Sequence, residues 1–185
     1  TMLVNLNGDL QMVKVDMSGK RLGRLTRKLS KKSVTRSQII YKLLREIPEN
    51  EMPITFGYFP ESVGVTYDDL TFDLGNIYRE YGIYPRANKK RWLIPFFSLY
   101  SQDFRNPGNE LIIEQLIRFS GLDPSDFFET KIVRPYIYNA FYFAFKYGLL
   151  FEPHPQNVLV ELDEQFNIVR FIYRDLQTVI VDAEL

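Results

Sequence analysis

The stretch "GLLFEPHPQNVLVEL", residues 148–162, sets the architecture. Gly148 closes an apolar, aromatic-rich helical pattern, because glycine takes the left-handed conformation that ends a helix. Glu152, His154, Gln156 and Asn157 then fall on a loop, and "NVLVEL" reads as a strand. His154 is the only histidine of the chain and stands between Pro153 and Pro155, which restrict the backbone on both sides of it. The turn "DEQFN", residues 163–167, leads into a second strand, "IVRFIYRD", that ends in Arg174-Asp175. A helix, a polar loop and a hairpin form an α+β unit whose ionisable side chains gather on a loop and a strand end.

The rest of the chain fits that class. Asp123-Pro124-Ser125-Asp126 supplies an N-cap, a proline at the first helical position and an acid in the first turn. The helix begun there has a break or restart near Pro135, and Ile137, Ala140, Phe141, Ala144 and Phe145 on one side read as core. Asn109 caps a helix over "ELIIEQLIRF" that ends at Gly121, and "RWLIPFFSLYS", residues 91–101, reads as a strand or buried extended run. Residues 52–85 hold short strands with a loop around residues 60–70. Thr35 and Gln38 form a capping-box pattern before Ile39, Ile40, Leu43, Leu44 and Ile47, a helix stopped at Pro48. Residues 1–17 form a hairpin around Asn7-Gly8-Asp9. From Lys14 to Arg36 nine Lys or Arg face one acid, Asp16, a run read as a solvated linker, or a face against a missing neighbour, more readily than as a phosphate-binding arm. The expected organisation is an N-terminal hairpin and basic arm over residues 1–36, then one domain over residues 37–185. Its fold class is α+β, an antiparallel sheet with hairpins packed against a helical bundle.

Composition removes several functions. Lys plus Arg and Asp plus Glu number 23 each, so no net field draws the chain to nucleic acid or to an anionic membrane. With no cysteine there is no disulfide framework, thiol nucleophile or iron–sulfur site within the sequence. No apolar run reaches the ~20 residues of a membrane span, and the start lacks a signal peptide's order, which together point to the cytoplasm. Thr1 ahead of Met2 suggests that the chain begins inside a larger protein or carries an added first residue.

Antiparallel pairing of the hairpin is expected to return Asp175 beside Asn157. A carboxylate and an amide oxygen make a hard, oxygen-rich corner suited to Mg²⁺, which keeps waters and takes further ligands from phosphates. His154 is placed to donate to a phosphoryl or carboxylate oxygen, and Arg174 to neutralise charge there, although neighbours in a strand point to opposite faces. Glu152, Asn157 and Asp175 also follow the order of acid, Mg²⁺-binding Asn and Mg²⁺-binding Asp seen in kinase-like phosphotransferases. No glycine-rich phosphate loop accompanies them.

The segment "KYGLLFEPHPQNVLVEL" with "VRFIYRDLQ" resembles the C-terminal signature of the siderophore synthetases that work independently of nonribosomal peptide synthetases, the IucA/IucC family. Glu152, His154, Gln156, Asn157, Arg174 and Asp175 match its Glu-x-His-x-Gln-Asn and Arg-Asp elements. "FPESVGV" at 59–65 and "LGNIYREYG" at 74–82 resemble upstream segments, so the likeness runs over about residues 55–180. The resemblance implies the palm-like C-terminal part of a thumb, fingers and palm enzyme. That enzyme uses ATP and Mg²⁺ to adenylate a carboxylate, often of citrate, and condenses it with an amine or hydroxyl. On that basis His154 and Glu152 are catalytic, His154, Gln156, Asn157, Arg174 and Asp175 hold the nucleotide, and Asn157 and Asp175 hold the metal. The N-terminal part of the same synthetase would be the chain's partner, the isolated chain would be inactive, and homodimerisation is left open. The alternatives are the C-lobe of an aminoglycoside-type phosphotransferase and a noncatalytic carboxylate- or siderophore-binding module.

Overall fold

The computed structural model describes residues 2–4, 10–15, 29–68, 73–80, 82–85 and 91–182. It contains two compact units, one of Thr1–Glu49, Phe59–Tyr84 and Asp175–Thr178, the other of Asn50–Tyr58, Pro85–Arg174 and Val179–Leu185. This division departs from the 1–36 and 37–185 boundary, because the helix that starts in the basic run packs on strands from further along the chain.

In the first unit β1 (Met2–Val4), β2 (Leu10–Val15), β4 (Val63–Asp68) and β5 (Asp73–Arg79) form an antiparallel sheet in the order β1-β2-β5-β4. The expected N-terminal hairpin is present, and its turn at Asn7-Gly8-Asp9 lies outside the described residues. So do residues 16–28 of the basic run. The loop expected around residues 60–70 is instead largely β4, in which Val63, Val65 and Tyr67 alternate onto an exposed face. Helix α1 spans Lys31–Glu46, and Ser30 caps it by accepting from the Ser33 amide at 3.2 Å. The helix therefore starts before Thr35, and the Thr35–Gln38 pattern lies within it. Ile40, Leu44 and Ile47 are buried, whereas Ile39 and Leu43 face outward. Helix α1 packs on β4 and β5 at two glycines: a Cβ on Gly64 would lie 2.3 Å from Val34 Cγ1, and one on Gly75 would lie 2.4 Å from the Leu29 carbonyl oxygen. Leu29, Val34 and Ile77 form the core there.

In the second unit β3 (Phe56–Tyr58), β6 (Trp92–Pro95), β8 (Val158–Leu162) and β9 (Ile168–Tyr173) form a sheet in the order β3-β9-β8-β6. The β8–β9 hairpin and the β6–β8 pair are antiparallel, and β3 joins β9 in parallel. Within the expected run of residues 91–101, β6 gives way to a 3₁₀ turn at Phe96–Tyr100. Helix α2 (Ile112–Ser120) starts after Leu111, not Asn109, whose side chain is bonded to Asp103, and it ends at Gly121 in the left-handed conformation. Asp123 caps α3 (Pro124–Phe127) as expected. A π-helical turn at Phe128–Val133 then leads into α4 (Arg134–Tyr147), which ends at left-handed Gly148. The wider turn just ahead of Pro135 absorbs the missing amide and the ring's clash with the preceding turn. Gly148 leads directly into β7 (Leu149–Leu150), paired with β10 (Ile180–Val181). No described helix is long and apolar enough to cross a membrane.

The face that α4 buries is not the expected one. Ile137, Phe141 and Phe145 are exposed, and Asn139 and Phe143 point inward. Asn139 fixes this rotation by giving to the Thr55 carbonyl and accepting from the Thr55 hydroxyl, both at 2.9 Å. The Phe143 ring lies 4.1 Å from that of Phe56 and 5.3 Å from that of Phe151, and Phe56 and Phe151 both meet Tyr173. Phe143→Ala should lower the urea-unfolding free energy by about 3–5 kcal/mol. Phe145→Ala, at a side chain 74% exposed, should cost less than about 1 kcal/mol. Equal losses would contradict this helix rotation.

Candidate functional site

The loop of residues 151–157 is built by its own hydrogen bonds. The Asn157 amide donates to the His154 carbonyl at 2.8 Å, closing a turn, and the Gln156 amide donates to His154 Nδ1 at 3.2 Å. With Nδ1 accepting, the neutral imidazole carries its proton on Nε2. His154 is exposed and so offers a donor to solvent or to a ligand. Asn157 is buried, and its Nδ2 donates to Glu152 Oε2 at 2.7 Å. That bond turns the acid five residues ahead of Asn157 into the group that orients it, leaving the amide oxygen Oδ1 as an acceptor.

The hairpin register anchors this loop. Val158 pairs with Tyr173, and the Arg174 amide donates to the Asn157 carbonyl at 3.0 Å. Arg174 is thus the residue across from Asn157. Its Nε donates to the Gln156 carbonyl at 3.0 Å and its Nη2 reaches the same oxygen, so the guanidinium clamps the loop to the end of β9. The turn after β8 holds as read: Asp163 accepts from the amides of Gln165 and Asn167 at 3.0 and 2.8 Å. Glu152, Gln156, Asn157 and Arg174 are thereby brought together in the second unit, with His154 on the turn they share.

Asp175 belongs to the first unit. Its φ of 65° lies in the left-handed region, uncommon for a residue with a side chain. The Thr178 amide and hydroxyl both donate to its carbonyl, at 2.9 and 2.8 Å, and hold the backbone there. Its carboxylate meets two cations, Arg79 Nη2 at 2.6 Å from Oδ1 and Lys14 Nζ at 3.1 Å from Oδ2. Arg79 also donates from Nε to Glu61 Oε1 at 3.0 Å, with Nη2 on the same oxygen. The Ser37 hydroxyl bonds the other Glu61 oxygen, and Gln38 Nε2 donates to the Glu61 carbonyl at 2.7 Å. Burial pushes the Asp175 carboxyl up, but Lys14 and Arg79 outweigh it and hold the group below the usual carboxylate range. Burial pulls Lys14 down from the usual lysine range despite Asp175. Burial opposes the Arg79 charge too, yet Glu61 and Asp175 raise the guanidinium further.

Lys14, Glu61 and Arg79 were not among the expected site residues. The signal for Arg79 lies in β5: Gly75, Ile77 and Arg79 share the inward register, so a charge is placed where the strand turns toward the core. A charge at such a position needs partners.

Asn157 in the second unit and Asp175 in the first each carry a hard oxygen of the kind Mg²⁺ takes as ligand. No group of three His, Cys, Asp or Glu gathers among the described residues, so that set offers no protein cage for zinc.

Comparison with known proteins gives one family match and several likenesses of fold. The family described as ferric iron reductase FhuF-like transporter matches residues 131–185. That stretch has no cysteine to hold an iron–sulfur cluster. No curated protein matches the chain. Among solved structures, petrobactin biosynthesis protein AsbB from Bacillus anthracis str. Sterne aligns over 97% of this chain and 30% of its own, with a TM-score of 0.72 and 21% identity. ATP-bound aerobactin synthetase IucA from a hypervirulent pathotype of Klebsiella pneumoniae aligns over 92% of this chain and 32% of its own, with a TM-score of 0.70 and 23% identity. Aerobactin synthetase IucC from the same source aligns over 100% and 33%, with a TM-score of 0.69 and 16% identity. These likenesses are ones of fold, and the α+β fold expected from the resemblance is the fold the chain has. The chain spans about a third of the length of these proteins, 30% to 33%.

Because the folded Asp175 carboxyl is held below its unfolded value of about 3.9, its stabilising effect is complete above that pH and fades as acid protonates the folded state. Asp175→Asn should cost about 3 kcal/mol at pH 7. The gap from the unchanged protein should close as pH falls below about 4, followed by urea midpoints from pH 3 to 7.

Proposed function

We propose that the chain is the nucleotide- and metal-binding part of an ATP-dependent siderophore synthetase acting in the cytoplasm. That synthetase adenylates a citrate-like carboxylate and joins it to an amine or hydroxyl. The observation that carries this reading is the Glu152–Asn157 loop, ordered by its own bonds and by Arg174, in a fold shared with petrobactin and aerobactin enzymes, one of them solved with ATP.

ATP would supply the adenylyl group that activates the carboxylate, and magnesium would neutralise its phosphates. The chain's own residues bind and orient. His154, its Nδ1 accepting from the Gln156 amide, would offer its Nε2 hydrogen to a phosphate or carboxylate oxygen. Glu152 holds the Asn157 amide by its Nδ2, so Asn157 Oδ1 and the Arg79-held Asp175 carboxylate are the oxygens that would serve a magnesium ion. Gln156 and Arg174 keep the loop in place. Catalysis of this kind rests on position and charge, without a covalent enzyme intermediate. The remaining length of a synthetase would supply the rest of the nucleotide pocket and the carboxylate and amine sites, so the isolated chain would not complete the reaction.

Binding can be tested on the chain itself. Mg²⁺-ATP at 100 times its Kd should stabilise it by roughly 2.7 kcal/mol, seen as a rise in Tm. Asn157→Ala and Asp175→Ala should each abolish the rise, while Phe145→Ala should keep it. No rise, or a rise that both site variants retain, would contradict the assignment.

A further inference from the structure

Helix α4 is apolar on two faces, and the second unit packs only one of them inward. Asn139 and Phe143 are buried, while Ile137, Tyr138, Phe141 and Phe145 stand on the other side, Tyr138 and Phe141 each 54% exposed. Tyr138, Phe141, Tyr142, Phe145 and Lys146 line an open groove there, and the Phe141 and Phe145 rings lie near parallel, their centroids 5.5 Å apart. Arg134, Tyr138, Phe141 and Phe145 fall at i, i+4, i+7 and i+11, the alternation of fours and threes by which one helix seats against another. Ile137 and Tyr142 flank that seam. Together these side chains leave roughly 500 Å² of largely apolar surface open, near the top of what monomers ordinarily expose. Each end of the stripe carries an exposed ion pair, Arg134 with Glu129 at 2.6 Å and Lys146 with Glu51 at 2.8 Å. Both cations have an acid beside them, so the stripe favours a partner that is itself apolar over an acidic one.

We propose that this stripe is a contact between two copies of the chain, whose α4 helices pair antiparallel about a two-fold axis at the level of residues 139 and 140. The spacing selects a second copy because it is self-complementary: reversing the helix exchanges position 138 with 141 and 134 with 145. Tyr138 of one copy then meets Phe141 of the other, and Arg134 meets Phe145, a guanidinium against a ring face. Parallel pairing would set Arg134 against Arg134, like charge on like, and is disfavoured. The antiparallel contact covers about 1,000 Å² in all, the low end for a specific interface, so the pair forms and separates readily, with a Kd on the order of tens of micromolar. It also carries the two Gly148 ends, and the loops that follow them, to opposite ends of the helix pair, so neither loop completes the other. The contact is therefore independent of any nucleotide bound at those loops.

Sedimentation velocity from about 2 to about 200 µM tests the pairing: the unchanged chain should pass from monomer to dimer over that range. Phe141→Glu, at an exposed position, should keep a cooperative melt and weaken association at least about tenfold, because it sets two carboxylates into an apolar seam. Should that variant fail to melt cooperatively, Phe145→Glu takes its place, at the more exposed ring. Tyr138→Cys and Phe141→Cys report the direction of pairing, since the chain has no cysteine of its own. When the two variants are mixed with a short bismaleimide, cross-links joining one of each should form several-fold faster than either variant links to itself. A chain that stays monomeric to the highest concentration overturns the proposal and leaves the stripe to a different occupant, such as a further part of a longer synthetase. A dimer that both glutamate variants retain lies on another surface and overturns it as well. Self-linking of each cysteine variant in preference to mixed linking overturns the antiparallel contact.

Discussion

A guanidinium buried between two carboxylates is the constraint on which the polar cluster of the first unit depends. Arg79 is 4% exposed and Glu61 fully buried, and such charges are tolerated only when their hydrogen bonds are met. Here Ser37 from α1 and Arg79 from β5 meet at Glu61, and Arg79 carries the link on to Asp175 in the turn after β9. Replacing any one of them strands the rest in a low dielectric, so the arrangement is rigid in a way that surface ion pairs are not. A carboxylate held this way has its orientation settled by the fold.

The second unit reaches the same end by packing. Rings from β3, α4, the segment after β7 and β9 lock together around Phe56 and Phe143, and Asn139 sets the rotation of α4. Gly148 then turns the chain into β7 and the loop of Glu152, His154, Gln156 and Asn157, which Arg174 ties to the end of β9. A loop on so firm a base keeps polar side chains exposed without losing their positions.

Features whose cause is local were legible in the sequence. The Asp123-Pro124 helix start, the left-handed glycines at 121 and 148, and the 163–167 turn each depend on a few adjacent residues, and each is where the chain chemistry puts it. The placing of Glu152, His154, Gln156 and Asn157 on a loop before a strand was legible for the same reason. What escaped depended on distant partners. The face of α4 was misjudged because the helix is apolar nearly all round, and the residue that orients it, Asn139, is polar and buried only because Thr55 meets it. The start of α1 was hidden in a basic run whose composition suggested a linker, although Ser30 there is an able cap. Two cations on Asp175 come from as far along the chain as positions 14 and 79, and only the inward register of β5 hinted at Arg79.

The claim at the centre of this account is that an Arg79-held Asp175 receives the cation that accompanies ATP. The most direct measurement is the NMR signal of the Arg79 Nε hydrogen, 3.0 Å from its Glu61 acceptor and on the same guanidinium that holds Asp175. With Mn²⁺-ATP in place of Mg²⁺-ATP, the account predicts that this resonance broadens at low metal concentration, ahead of the exposed Arg118 and Arg134 signals. An Arg79 signal that stays sharp while other signals broaden would put the metal elsewhere and contradict it.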